Sequence, residues 1–87
     1  NFRIDKLYYG VYIWMNITDH AFNRMVERGF SCEMLGRLLN GKKKILPAGN
    51  GRFKVVGSIG NDYWTLIVEP DLYTLVTVRR AHEDETC

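Results

Sequence analysis

The spacing of apolar residues changes period twice along this chain. Residues 7–14, LYYGVYIW, are dense in Tyr, Val and Ile but do not alternate, which predicts one strand covered on both faces. Residues 18–29, TDHAFNRMVERG, switch to helical spacing. At roughly 100° per residue, Ala21, Phe22, Met25 and Val26 share one arc while His20, Arg24, Glu27 and Arg28 share the other. Thr18 or Asp19 supplies the N-cap, and Gly29 stops the helix at C′. Ser31 caps a second helix after almost no loop, with Glu33 in its first turn, Met34, Leu35, Leu38 and Leu39 as its apolar stripe, and Asn40 and Gly41 at its end.

From Lys42 onward, turn residues divide the chain into strands. KKKIL (42–46) reads as a short edge strand, followed by Pro47 and the turn GNG (49–51). RFKVVGSI (52–59), YWTLIVE (63–69) and LYTLVTVRR (72–80) follow, separated by GND (60–62) and PD (70–71). The expected fold is α+β: an N-terminal strand and two helices packed on a twisted antiparallel sheet of about four strands. In the last strand a two-residue period sets Leu72, Thr74, Val76 and Val78 against the helices. Tyr73, Leu75, Thr77 and Arg79 then form the other face, a floor for a groove. Tyr8, Tyr9, Tyr63 and Trp64 read as core or sheet-face residues ahead of base-stacking platforms.

With 87 residues the chain has room for one domain, spanning 1–87. No apolar run approaches the roughly 18–20 residues of a membrane span. A signal peptide and an initiating Met are both missing, so the expectation is a C-terminal piece of a larger exported protein. Cys32 and Cys87 are the two thiols, one of them terminal; they offer no metal-site spacing, and no structural disulfide is expected. The formal charge is +2, but Glu83, Asp84 and Glu85 crowd into the last five residues. Without them twelve Lys and Arg face seven acids, a body of +5 that points to a polyanionic ligand.

The polar arc of the first helix carries chemistry suited to that ligand. His20 offers an imidazole, a group that can take or give a proton, and Arg24 and Arg28, one and two turns further on, have planar forks that bind phosphate bidentately. Glu27 can orient Arg24 or His20, or act as the base itself. Thr77 adds a hydroxyl if its strand packs beneath this helix edge, and His82 is a second proton carrier in a tail expected to be loose. RNA brings an internal nucleophile, its 2′-hydroxyl. Cleavage then needs a base, an acid and cationic stabilisation of the transition state, with no metal and no cofactor. Lys42, Lys43, Lys44, Arg52, Lys54, Arg79 and Arg80 are the candidate RNA-binding cations. Plainer readings compete: a solvated His, an Arg24–Glu27 surface ion pair, and a lysine-rich edge that keeps the sheet soluble.

DHAFNRMVERGFS, the second helix, GRFKVVG and the closing LVTVRR resemble a group of small toxin domains placed with the barnase–EndoU–colicin–RelE-like ribonucleases. The pattern is His-x3-Arg-Met-x2-Arg-Gly on a helix, here His20, Arg24, Met25, Arg28 and Gly29. A Val-Thr-Val-x-Arg strand closes it, here Val76, Thr77, Val78 and Arg80 or Arg79. The likeness covers roughly residues 17–80. It implies metal-independent cleavage of RNA, tRNA foremost, by an effector domain of contact-dependent growth inhibition or another polymorphic toxin system. It also implies export, action in the target-cell cytoplasm, and an immunity protein presenting an acidic surface; a host activating factor is left open. The alternatives are a non-catalytic RNA- or ribosome-binding module of the same fold and a protein-interaction domain.

Overall fold

Two helices lie on one face of a six-stranded sheet in the computed structural model, which describes residues 2–8 and 11–85, with side chains from Met15 to Glu85. The elements are β1 (Phe2–Tyr8), β2 (Val11–Ile17), α1 (Asp19–Arg28), α2 (Cys32–Asn40), β3 (Lys43–Pro47), β4 (Phe53–Ile59), β5 (Asp62–Val68), β6 (Thr74–Arg80) and a 3-10 turn at Glu83–Glu85. The sheet order is β1-β2-β6-β5-β4-β3. The fold is α+β as expected, with two corrections. The stretch 7–14 is not one strand: it is split between β1 and β2, which pair antiparallel from Phe2↔Ile17 to Tyr8↔Val11. A run rich in Tyr, Val and Ile suits one strand or two equally well, so composition could not find the break. Tyr9, Gly10 and Cys87, and the side chain of Tyr8, lie outside the described residues. The sheet is also mixed rather than antiparallel, because β2 pairs parallel with β6 at Asn16↔Thr74 and Ile17↔Leu75.

Both helix starts follow the caps read from sequence. Thr18 Oγ1 accepts from Ala21 N at 3.0 Å, and Ser31 Oγ accepts from Met34 N at 3.1 Å. Gly29 takes the left-handed conformation, φ 65°, that ends α1. Thr18 also ties α1 to the sheet, donating from its N–H to Leu75 O (3.2 Å) and from its hydroxyl to Val76 O (3.3 Å). That second bond exists because β6 is bulged: Ile67 faces Thr77 but Val68 faces Leu75, leaving Val76 as the extra residue. The bulge changes which side chains of β6 face the helices. Leu75 and Val78 are both fully buried in the core, so Leu75 is not part of the groove floor.

The core on the helix face joins Met15, Ile17, Ala21, Met25, Phe30, Leu35, Leu38, Val55, Trp64, Leu66, Val68, Leu75 and Val78. Phe30, between the helices, sets its ring 4.9 Å from Trp64, and the Arg80 guanidinium caps the same indole at 4.8 Å. The apolar arc of α1 is only half used. Ala21 and Met25 are buried, but Phe22 and Val26, on the same arc, are 45% and 66% exposed. Helix α2 sits close to β4 because Gly57 has no side chain. A Cβ there would meet Leu38 Cγ at 3.1 Å and the Lys42 carbonyl at 3.3 Å. Gly57→Ala is therefore expected to destabilise the fold by about 1–3 kcal/mol, read as a lower urea midpoint with unchanged slope.

Candidate functional site

The predicted site residues fall into two groups on different elements. The first is the polar edge of α1. Arg24 NH1 donates to Glu27 Oε1 at 2.6 Å, and Arg28 NH1 lies 3.7 Å from the same oxygen. Glu27 thus holds both guanidiniums rather than orienting His20. His20, one turn earlier, is exposed and has no hydrogen-bond partner among the described residues. Going round the helix, this edge borders the buried Ala21–Met25 stripe, and Phe22 and Val26 lie beyond it. A half-buried Arg24 with a paired carboxylate next to it is an oriented cation, and the exposed His20 ring beside it is open to a ligand.

The second group occupies the sheet face away from the helices. Strand alternation and register put Lys54, Thr65, Thr77 and Arg79 on this face, with Thr65 directly opposite both Val56 and Arg79. Thr77 is opposite Ile67, and no hydrogen bond among the described residues links it to His20, Arg24 or Arg28. Thr77 lies on the sheet face away from the helices, where the two-residue period placed it, and so not beneath the edge of α1.

Glu85, which the sequence reading passed over, organises this face. It is 2% exposed, and its carboxylate accepts five hydrogen bonds. Oε1 receives Thr65 Oγ1 (2.9 Å), Arg79 NH1 (2.8 Å) and His82 N (2.8 Å); Oε2 receives Arg79 NH2 (2.9 Å) and Lys54 Nζ (3.0 Å). The Arg79 fork, aided by the His82 N–H, Lys54 and Thr65, holds the Glu85 carboxyl far below the usual carboxylate range despite its burial. The same bond raises the Arg79 pKa. Glu85 is a permanent anion at neutral pH and no base. His82 is consequently not in a loose tail: its backbone is bound to Glu85, while its side chain is exposed. Beside Glu85 lies a cleft of about 410 Å³ walled by Lys42, Lys43, Lys44, Ser58 and Tyr63. Within it, Lys43 Nζ already donates to Leu39 O at 2.8 Å, closing the end of α2.

Two of the candidate RNA-binding cations are engaged elsewhere. Arg52 Nε binds Glu69 Oε1 at 2.8 Å, and Arg80 NH1 binds Asp62 Oδ1 at 3.0 Å while stacking on Trp64. The acids at the turns are similarly committed. Asp71 closes the β5–β6 turn by accepting from Tyr73 N and Thr74 N, bonds that lower its carboxyl pKa. Among the described residues no three His, Cys, Asp or Glu side chains gather as metal ligands would. Cys32 is a free, half-buried thiol, and no helix among the described residues is long and apolar enough to cross a membrane. Compared with protein-family models, curated proteins and solved structures, the chain matches none.

One signal for the missed pair was present. Thr65 interrupts the apolar run WTLIV (64–68), and a buried hydroxyl needs a partner.

Proposed function

We propose that this chain is an endoribonuclease, with tRNA the foremost substrate, acting as an antibacterial toxin that an immunity protein neutralises. The observation that carries the reading is the edge of α1, where an exposed His20 stands one turn before two guanidiniums gathered on Glu27. In this reading His20 moves the 2′-hydroxyl proton. Arg24 and Arg28 bind the scissile phosphate and stabilise its added charge. Glu27 positions both. The sheet face, with Lys54, Thr77, Arg79 and the lysines at its margin, holds the flanking strand, and His82 belongs with that group. Cleavage leaves a 2′,3′-cyclic phosphate upstream and a 5′-hydroxyl downstream. An acidic surface on the immunity protein complements the cations.

Incubation of tRNA with the purified chain in excess EDTA, with both product ends mapped, tests this directly. Ends of the opposite polarity, or dependence on added metal, would sink it, as would cleavage of a substrate that is 2′-deoxy at the cut position. Arg24→Lys is expected to be nearly as damaging as Arg24→Ala, because a lysine cannot reproduce the bidentate fork. Substantial rescue by Lys would reduce Arg24 to general charge. The Arg24–Glu27 pair is exposed, so neither change should move stability by more than about 0.5 kcal/mol. A second reading, RNA binding without cleavage, is favoured by the cations of the sheet face alone; intact tRNA held in a salt-sensitive complex is its outcome.

A further inference from the structure

The five donors around Glu85 are unusual company for a side chain in a short turn. A guanidinium fork, an ammonium, a hydroxyl and a backbone N–H converging on two oxygens are the donor set that recognises a phosphate. Three of the groups, Lys54, Thr65 and Arg79, sit on rigid strands β4, β5 and β6. The anion they hold comes from a single 3-10 turn only six residues beyond Arg79. That turn is built locally, Glu85 N to His82 O at 2.9 Å, and joins the sheet backbone at Ala81 N to Tyr63 O, 3.0 Å. Glu83 and Asp84 face solvent on it. Glu85 also forms one wall of the cleft that Lys42, Lys43 and Lys44 line, so moving its side chain joins the strand-borne cations to the lysine-rich margin.

We propose that Lys54, Thr65 and Arg79 form an anion site which the chain's own Glu85 fills here, and that a phosphate of single-stranded RNA takes this site when residues 82–85 move aside. The C-terminal turn is then a removable cover whose carboxylate stands in for the ligand. The inference rests on RNA being the ligand of the chain and names where one backbone phosphate is held. It also explains the charge arrangement: Glu85 of the turn lies against the cations that the RNA would otherwise occupy, so weak or short anions are refused while a strand that also engages the lysine margin can displace it.

A 2′-O-methyl oligoribonucleotide, which lacks the nucleophile, separates binding from cleavage. With the unaltered chain saturated by this oligonucleotide, the His82 amide is expected to exchange with solvent at least about tenfold faster, because its acceptor has left. Glu85→Gln removes the competing charge and is expected to tighten binding by about tenfold. The salt dependence gives a third measure. A chain carrying Lys54→Met, Arg79→Met and Glu85→Leu replaces the charged cluster by apolar groups, and its log–log salt slope should be shallower than that of Glu85→Gln by about 0.7, one phosphate contact. An oligonucleotide that binds while His82 keeps its protection overturns the inference and leaves the cleavage reading standing, as do equal salt slopes. Release of His82 onto an oligonucleotide whose ribose counterpart is never cut supports the inference and removes the cleavage reading. Failure of the oligonucleotide to bind overturns the inference whatever the tRNA assay shows.

Discussion

Glu85→Ala is expected to cost about 3 kcal/mol of folding stability, the largest effect of any single polar substitution in this chain. The carboxylate is buried, and its loss strands Lys54 and Arg79, each about one-quarter exposed, together with the Thr65 hydroxyl. Urea unfolding at pH 7 measures it. The pH dependence has a definite sign. The folded carboxyl lies below its unfolded value of about 4.3, so its contribution is complete above that value and is lost as pH falls below it. The gap between the unaltered chain and Glu85→Gln should therefore be wide at pH 7 and narrower at pH 3. A gap that stays constant would mean that Glu85 is not held as an anion.

His20→Ala should have the opposite profile: a fall in RNA cleavage of about 10²–10⁴ with a stability change within about 0.5 kcal/mol. The ring is exposed and bonds to nothing among the described residues, so its removal leaves no orphaned partner and no cavity. Circular dichroism and thermal unfolding would establish that the variant is folded, and product formation from tRNA would give the rate. A folded variant that cleaves at the original rate takes His20 out of the mechanism. Loss of cleavage accompanied by a large loss of stability would also count against the assignment, since an exposed side chain on α1 should not carry the fold.

How far the sequence could be read depended on whether the deciding interaction was local. Thr18, Gly29 and Ser31 act within one helical turn, and each took the role its position predicts. The burial of Phe22 and Val26 depends instead on what packs beside α1. The thirteen buried residues that meet in the core come from six different elements and the loop between the helices, and they leave that flank of the arc uncovered. The facing of Leu75 turned on one extra residue in β6: Thr77, Val78 and Arg79 after the bulge keep the sides that alternation predicts, while Leu75 before it takes the opposite one. Periodicity has no means of announcing a bulge at Val76, a residue as suited to regular pairing as its neighbours. Lys54, Thr65, Arg79 and Glu85 are 31 residues apart from first to last. Their meeting is a product of register, and the acidic run that looked like a frayed tail is the part that binds them together. The cationic edge of α1 was legible because helical spacing alone brings Arg24, Glu27 and Arg28 together.

The strand order sets the timetable of folding. β6 is the last strand in the chain but lies inside the sheet, with β2 on one side and β5 on the other. The β1–β2 hairpin and the β3–β4–β5 meander are both local and can form early, yet neither can close the core without β6. Until it inserts, β2 and β5 each present an unpaired edge, the form in which a growing or refolding chain is most prone to sticking to its neighbours. Cooperative closure therefore waits for the segment around Thr74–Arg80, and refolding should slow with substitutions there, where the bonds from Thr18 to Leu75 and Val76 join the two halves.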